Sequence, residues 1–74
     1  MSMTLKEVKP GNSLTIRRLN STGSVKKKLM DMGLTKNTEV YIRKVAPLGD
    51  PIELTVRGYE LSIRKADAAL IEVE

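Results

Sequence analysis

The chain has no cysteine, no histidine, no phenylalanine and no tryptophan, and its two tyrosines are its only aromatic side chains. Without cysteine there are no disulfides, and without cysteine or histidine every usual zinc constellation is excluded. A domain of 74 residues buries only about 60 to 65% of the surface its unfolded chain exposes, and domains of this size often rely on such staples. Here the core must suffice by itself. With 41% hydrophobic residues, it has to be built from Val, Ile, Leu and Met, which fits aliphatic packing in one compact, β-rich domain spanning residues 1–74.

The same absences narrow the chemistry. Hydrolysis or group transfer usually needs a nucleophile beside a base, or paired acids with displaced pKa values. With no His or Cys, a Ser or Thr nucleophile would have to rely on Lys. No glycine-rich phosphate loop occurs. The nine carboxylates are scattered, whereas a hard-cation loop needs several at alternating positions. The expectation is a non-enzyme without cofactor or metal.

Long hydrophobic runs are missing too: nothing approaches the roughly 18 to 20 apolar residues of a membrane span. Met1 to Lys9 shows neither a basic leader nor a hydrophobic secretory segment. The chain is read as cytoplasmic, with no direct membrane insertion and as a monomer. A net charge of +4 and a pI near 9.6 favour an acidic partner surface, a nucleic acid or an anionic membrane face, although the charge is mixed.

What is present is alternation. From Pro47 to Arg64 a turn-rich loop leads into two runs folded about Arg57-Gly58. In the first, Ile52, Leu54 and Val56 fall on one face. In the second, Tyr59, Leu61 and Ile63 do the same, and a two-residue connection ending in Gly suits a tight β-hairpin. Tyr59, in register with Leu61 and Ile63, is expected to pack inward. Upstream, Leu5 and Val8 are spaced for one helical turn, Pro10-Gly11 signals a turn, and Ser13 to Leu19 reads as a strand with a bulge or end near Arg17-Arg18.

Asn20 to Ser24 carries several candidate helix caps, and a helix is predicted through to Met32. Val25, Leu29 and Met32 form its apolar stripe, and Gly33 stands where a left-handed residue would end it. After a turn at residues 35–38, Val40 and Ile42 begin a second strand running to about Val45. Pro47 and Pro51 stiffen the following loop. Lys65 to Ala69 favours one helical turn, and Ile71 with Val73 forms a closing strand. The expected fold is mainly β: an SH3-like small barrel of about five antiparallel strands, with a helix after the first.

Three surface features invite a functional reading. Lys26, Lys27 and Lys28 are about 100° apart on a helix, so they spread over its outer face as a solvated surface. Met30 lies off the apolar stripe, between Lys26 and Lys27 on the wheel. It either fills a gap under the barrel or makes an apolar contact ringed by lysines, suited to a partner with an acidic rim. The loop from Pro47 to Pro51 either merely joins two strands or presents Leu48 to a partner. Single-stranded nucleic-acid sites combine cations with stacking aromatics, and only Tyr41 and Tyr59 could stack, so no nucleic acid is expected.

Lys-Pro-Gly at Lys9 to Gly11, Leu-Met-Asp-Met-Gly-Leu at Leu29 to Leu34, Ala-Pro-Leu-Gly-Asp-Pro-Ile at Ala46 to Ile52, and Arg-Gly-Tyr-Glu-Leu-Ser-Ile-Arg at Arg57 to Arg64 together resemble the FeoA family of ferrous iron transport proteins. The resemblance covers nearly the whole chain. It departs where the family often has Pro-Gly after the helix and this chain has Lys36-Asn37. The resemblance implies an SH3-like cytoplasmic accessory of the membrane transporter FeoB, whose cytosolic part is a GTP-binding domain. With neither His nor Cys, the chain is expected not to bind Fe2+ by itself.

The expected partner contacts are Lys26, Lys27, Met30, Leu48, Asp50 and Arg57. A stronger form has Arg57 or Arg64 acting as an arginine finger on the GTPase, for which the sequence offers only availability. The competing expectation is a stand-alone regulatory barrel related to the C-terminal domain of metal-dependent repressors, or a weak nucleic-acid-binding barrel.

Overall fold

The computed structural model describes residues 3–74. Its strands and helices are β1 (Met3–Thr4), β2 (Ser13–Leu19), α1 (Gly23–Asp31), β3 (Glu39–Val45), β4 (Ile52–Val56), β5 (Tyr59–Ile63), α2 (Lys65–Ala68) and β6 (Ile71–Val73), with a 3-10 turn at Leu5–Glu7. The strands form one antiparallel sheet of order β1-β6-β2-β3-β4-β5. Among the described residues there are six strands rather than five. The addition is β1, whose two residues pair with β6 and are too few to show a period. The lead-in expected over Met1 to Lys9 falls partly on residues outside those described.

The hairpin forms where the alternation places it. Val56 pairs with Tyr59, Leu54 with Leu61 and Ile52 with Ile63. Arg57 and Gly58 both take positive φ, +51° and +82°, the combination a two-residue hairpin with matching twist requires. Ile52, Leu54, Val56 and Ile63 are buried. Tyr59 is not. It shares the inner face with Val56, yet is 73% exposed, because it stands at the turn end of a strand whose other edge has no neighbour in the sheet order. The face it points from extends past the core.

β2 bends the sheet around that core. Its first half, Ser13 to Thr15, pairs with β3, and its second half, Ile16 to Leu19, pairs with β6. The register shifts between Ile16 and Arg18, at the Arg17-Arg18 interruption. Such a bulge increases local bend and twist. Leu5, Ile16, Leu29, Leu34, Ile42, Leu54 and Ile71 are wholly buried, so nearly every element contributes an aliphatic side chain to one cluster.

Helix α1 is held more lightly than its expected stripe implies. Among its residues only Leu29 is buried, Met32 is half-buried, and Val25 is 40% exposed. Its first turn is exposed. The anchor is at the other end: Leu34 N–H donates to Leu29 C=O (3.0 Å) and Gly33 N–H to Met30 C=O (2.9 Å), the paired bonds of a Schellman motif. Gly33 supplies the φ of +94° the motif needs, and Leu29 and Leu34 close it beneath with fully buried side chains.

The loop between β3 and β4 is built by its own backbone. Gly49 N–H donates to Ala46 C=O (2.7 Å), and Ala46 N–H to Pro51 C=O (3.1 Å). The Asp50-Pro51 peptide is cis. From this loop the Asp50 carboxylate accepts the Lys65 N–H at 3.0 Å, satisfying a free donor in the first turn of α2. The loop is therefore tied to the segment that follows the hairpin.

Candidate partner-binding surface

Two grooves flank α1. The first, of about 210 Å3, is lined by Arg18, Leu19, Lys26, Met30, Thr35 and Lys36. Lys26 and Met30 are four residues apart and so lie one above the other on the helix. Arg18 and Leu19 reach the groove from the end of β2, and Thr35 and Lys36 from the turn after the Schellman motif. Met30 is 46% exposed, so it does not fill a gap under the barrel. Its surroundings are cationic: no carboxylate lines the groove.

Within this groove Arg18 is partly committed, since its guanidinium meets the Glu72 carboxylate at 2.8 Å. Lys26 and Lys36 form no ion pair among the described residues. The Thr35 hydroxyl is 2.8 Å from that of Thr38.

The second groove, of about 390 Å3, lies between the end of α1 and the hairpin. Met32, Val56, Tyr59 and Leu61 supply its apolar lining, and Asp31, Arg57 and Glu60 its charges. It holds both signs.

The six expected contact residues do not converge. Lys26 and Met30 share the first groove, while Arg57 lines the second. Lys27, Leu48 and Asp50 line neither. Leu48 is 87% exposed at the tip of its loop. Asp50 has a local task, accepting the Lys65 N–H. Arg57 also has one: it donates to the Thr38 and Thr35 hydroxyls at 3.3 and 3.4 Å, tying the hairpin turn to the turn after α1. Arg64 donates to Asp67 at 3.3 Å.

Sequence reasoning missed Arg18 and Lys36 as members of the first groove. Arg18 reads as a bulge and Lys36 as a turn, and no local spacing connects either with Lys26. Among the described residues no three Asp or Glu side chains gather where a metal ion could be held.

The fold and surface now have relatives to stand beside. A family model described as the FeoA domain matches residues 3–74. The chain belongs to the FeoA family. Its similarity to an Fe(2+) transport protein A/Fe(2+) transporter FeoB fusion protein of Porphyromonas gingivalis is 35% identity over 72 residues. That alignment takes in 97% of this chain and 8% of the fusion protein. The solution structure of iron(II) transport protein A from Clostridium thermocellum is 42% identical with a TM-score of 0.93, covering 97% of this chain and 44% of that one. This chain therefore spans less than half the length of both relatives.

A Stenotrophomonas maltophilia FeoA solved with zinc, described as an SH3 domain protein, shares the FeoA fold at 22% identity and a TM-score of 0.85, over 97% of this chain and 89% of that one. The SH3-like reading of the sequence agrees with this fold. FeoA proteins are proteins of ferrous iron transport, and one relative carries FeoA and FeoB in a single polypeptide. No helix among the described residues is long and apolar enough to cross a membrane.

Proposed function

We propose that this FeoA domain is a non-catalytic cytosolic accessory that regulates a FeoB-type ferrous iron transporter by contact with its cytosolic GTPase region. The observation that carries this reading is the fusion relative, in which the two proteins are one chain. Fusion raises the effective concentration of one module at the other, which is useful only if the modules meet. The absence of His and Cys supports action by contact rather than by handling iron, because the soft and imidazole ligands that transition metals favour are missing.

Met30 and Lys26 are the leading contact residues because they share a groove, and Leu48 is a separate exposed apolar point. Lys27, Asp50 and Arg57 complete the proposed set, the last two with structural bonds of their own. Co-purification with the isolated cytosolic region of the transporter tests the adaptor role. Its absence at micromolar concentrations defeats the proposal. Met30→Asp and Leu48→Asp test the sites, and unchanged binding in both variants removes them. Unchanged GTP turnover on addition of the domain excludes an arginine-finger role for Arg57 or Arg64.

A further inference from the structure

We infer that the groove between β2, α1 and the turn at Thr35-Lys36 is a docking site for an acidic protein segment carrying an apolar side chain. The inference rests on the reading that the domain works by protein contact, and it names the surface and the chemistry of what binds there. Leu19 and Met30 supply apolar lining, and Arg18, Lys26 and Lys36 supply cations from three different elements. An apolar side chain enters the space over Met30, whose flexible thioether side chain adapts to varied shapes. Carboxylates flanking it meet the lysines.

Two features select this occupant. The first is charge. The groove has no carboxylate in its lining, whereas the groove beside the hairpin carries Asp31 and Glu60 with Arg57. Complementary potentials steer the approach and exclude like-charged partners. A neutral or basic segment would bring no counter-charge to Lys26 and Lys36, which have no ion-pair partner among the described residues. The second is the absence of a stacking platform. A nucleic-acid strand is held by cations together with aromatic faces, and neither Tyr41 nor Tyr59 lines this groove.

The test uses the whole domain and a synthetic probe, acetyl-Asp-Glu-Leu-Leu-Asp-Glu-amide, with the charge-inverted acetyl-Lys-Lys-Leu-Leu-Lys-Lys-amide and a single-stranded oligodeoxythymidine as comparators. Amide shifts in 15N-labelled protein should concentrate at Arg18, Leu19, Lys26, Met30 and Lys36 on adding the acidic peptide, and not on adding the basic one. Binding should weaken about tenfold or more between low and high salt, where screening shortens the range of charge interactions. The double variant Lys26→Glu/Lys36→Glu should lose the acidic peptide, while Lys6→Glu/Lys9→Glu, with the same change in net charge, should keep it.

Shifts mapping elsewhere, equal binding of both peptides, equal loss in the two double variants, or tighter binding of the oligonucleotide at these amides overturns the inference. The same two variants, run against the transporter's cytosolic region, separate this inference from the adaptor role. If the wild-type domain and Lys26→Glu/Lys36→Glu bind that region equally, the groove assignment falls and the adaptor role stands. If the acidic peptide seats in the groove while the wild-type domain ignores the transporter, the adaptor role falls and the groove assignment stands.

Discussion

Leu54→Ala should remove a large share of the domain's stability. Leu54 is 0% exposed on β4, which has neighbours on both sides, and pairs with Ile42 of β3 and Leu61 of β5. Truncation to Ala deletes the carbons beyond Cβ, at about 0.8 kcal/mol each, for a transfer loss of about 2.4 kcal/mol. The surrounding sheet is hydrogen-bonded on both sides and can collapse little, so a cavity penalty brings the total to about 3–4 kcal/mol. A domain of this size has about 4–11 kcal/mol in all.

Urea unfolding followed by far-UV circular dichroism reads the loss directly. With an m-value near 1 kcal/mol/M, the lower end for small proteins, the midpoint should fall by about 3–4 M, and if the parent stands at the low end of the range the variant will be partly unfolded in buffer. Leu48→Ala is the matched control, since the same carbons are removed from a side chain that is 87% exposed. It should stay within about 0.5 kcal/mol of the parent. A loss below about 1 kcal/mol for Leu54→Ala, or similar losses for both variants, refutes a closely packed core around Leu54.

Three further outcomes are expected. Asp50→Ala should cost about 1 kcal/mol through loss of the acceptor for Lys65 N–H, while Asp50→Asn, which keeps an acceptor oxygen, should recover most of it in urea titrations. Faster hydrogen exchange of the Lys65 amide should accompany the first change and not the second. Gly33→Ala should cost about 1–2 kcal/mol, because the added Cβ meets only Val56 Cγ1 at 3.9 Å and the penalty is conformational. Thermal unfolding should show that loss. Tyr59→Ser should change the unfolding free energy by about 0.5 kcal/mol or less, as an exposed side chain does, and a loss above about 2 kcal/mol would place Tyr59 in the core after all.

How much was legible in the sequence follows from the range over which each feature is determined. The hairpin pairing was readable because a period of two and a two-residue turn are local properties, and Ile52, Leu54, Val56 and Ile63 are buried as expected. Tyr59 has the same parity and is exposed: alternation assigns a face and says nothing about how far the core beneath it extends. Val25 fails in the same way on the helix. The Schellman stop at Gly33 was readable because its signal lies within a few residues. In contrast, Asp50 meets Lys65 across 15 positions, and Arg18 joins Lys26 and Lys36 only once β2, α1 and the following turn have packed. No spacing rule could have found either.

The division of β2 between two neighbours also governs when the fold can be completed. Ser13 to Thr15 find their partners in β3 and Ile16 exchanges backbone bonds with Asn37 and Thr38, but Arg18 and Leu19 wait for Glu72 and Ile71, and Thr15 exchanges backbone bonds with Glu74. On a ribosome adding about 5–20 residues per second, the β4–β5 hairpin emerges with everything it needs to pair. The end of β2 instead stands open until translation reaches the final strand. A chain ending before Ile71 would leave both β1 and the end of β2 without a neighbour, and such unpaired strands invite pairing with other chains. A prematurely terminated product should therefore be lost to proteolysis or aggregation rather than accumulate as a shortened domain.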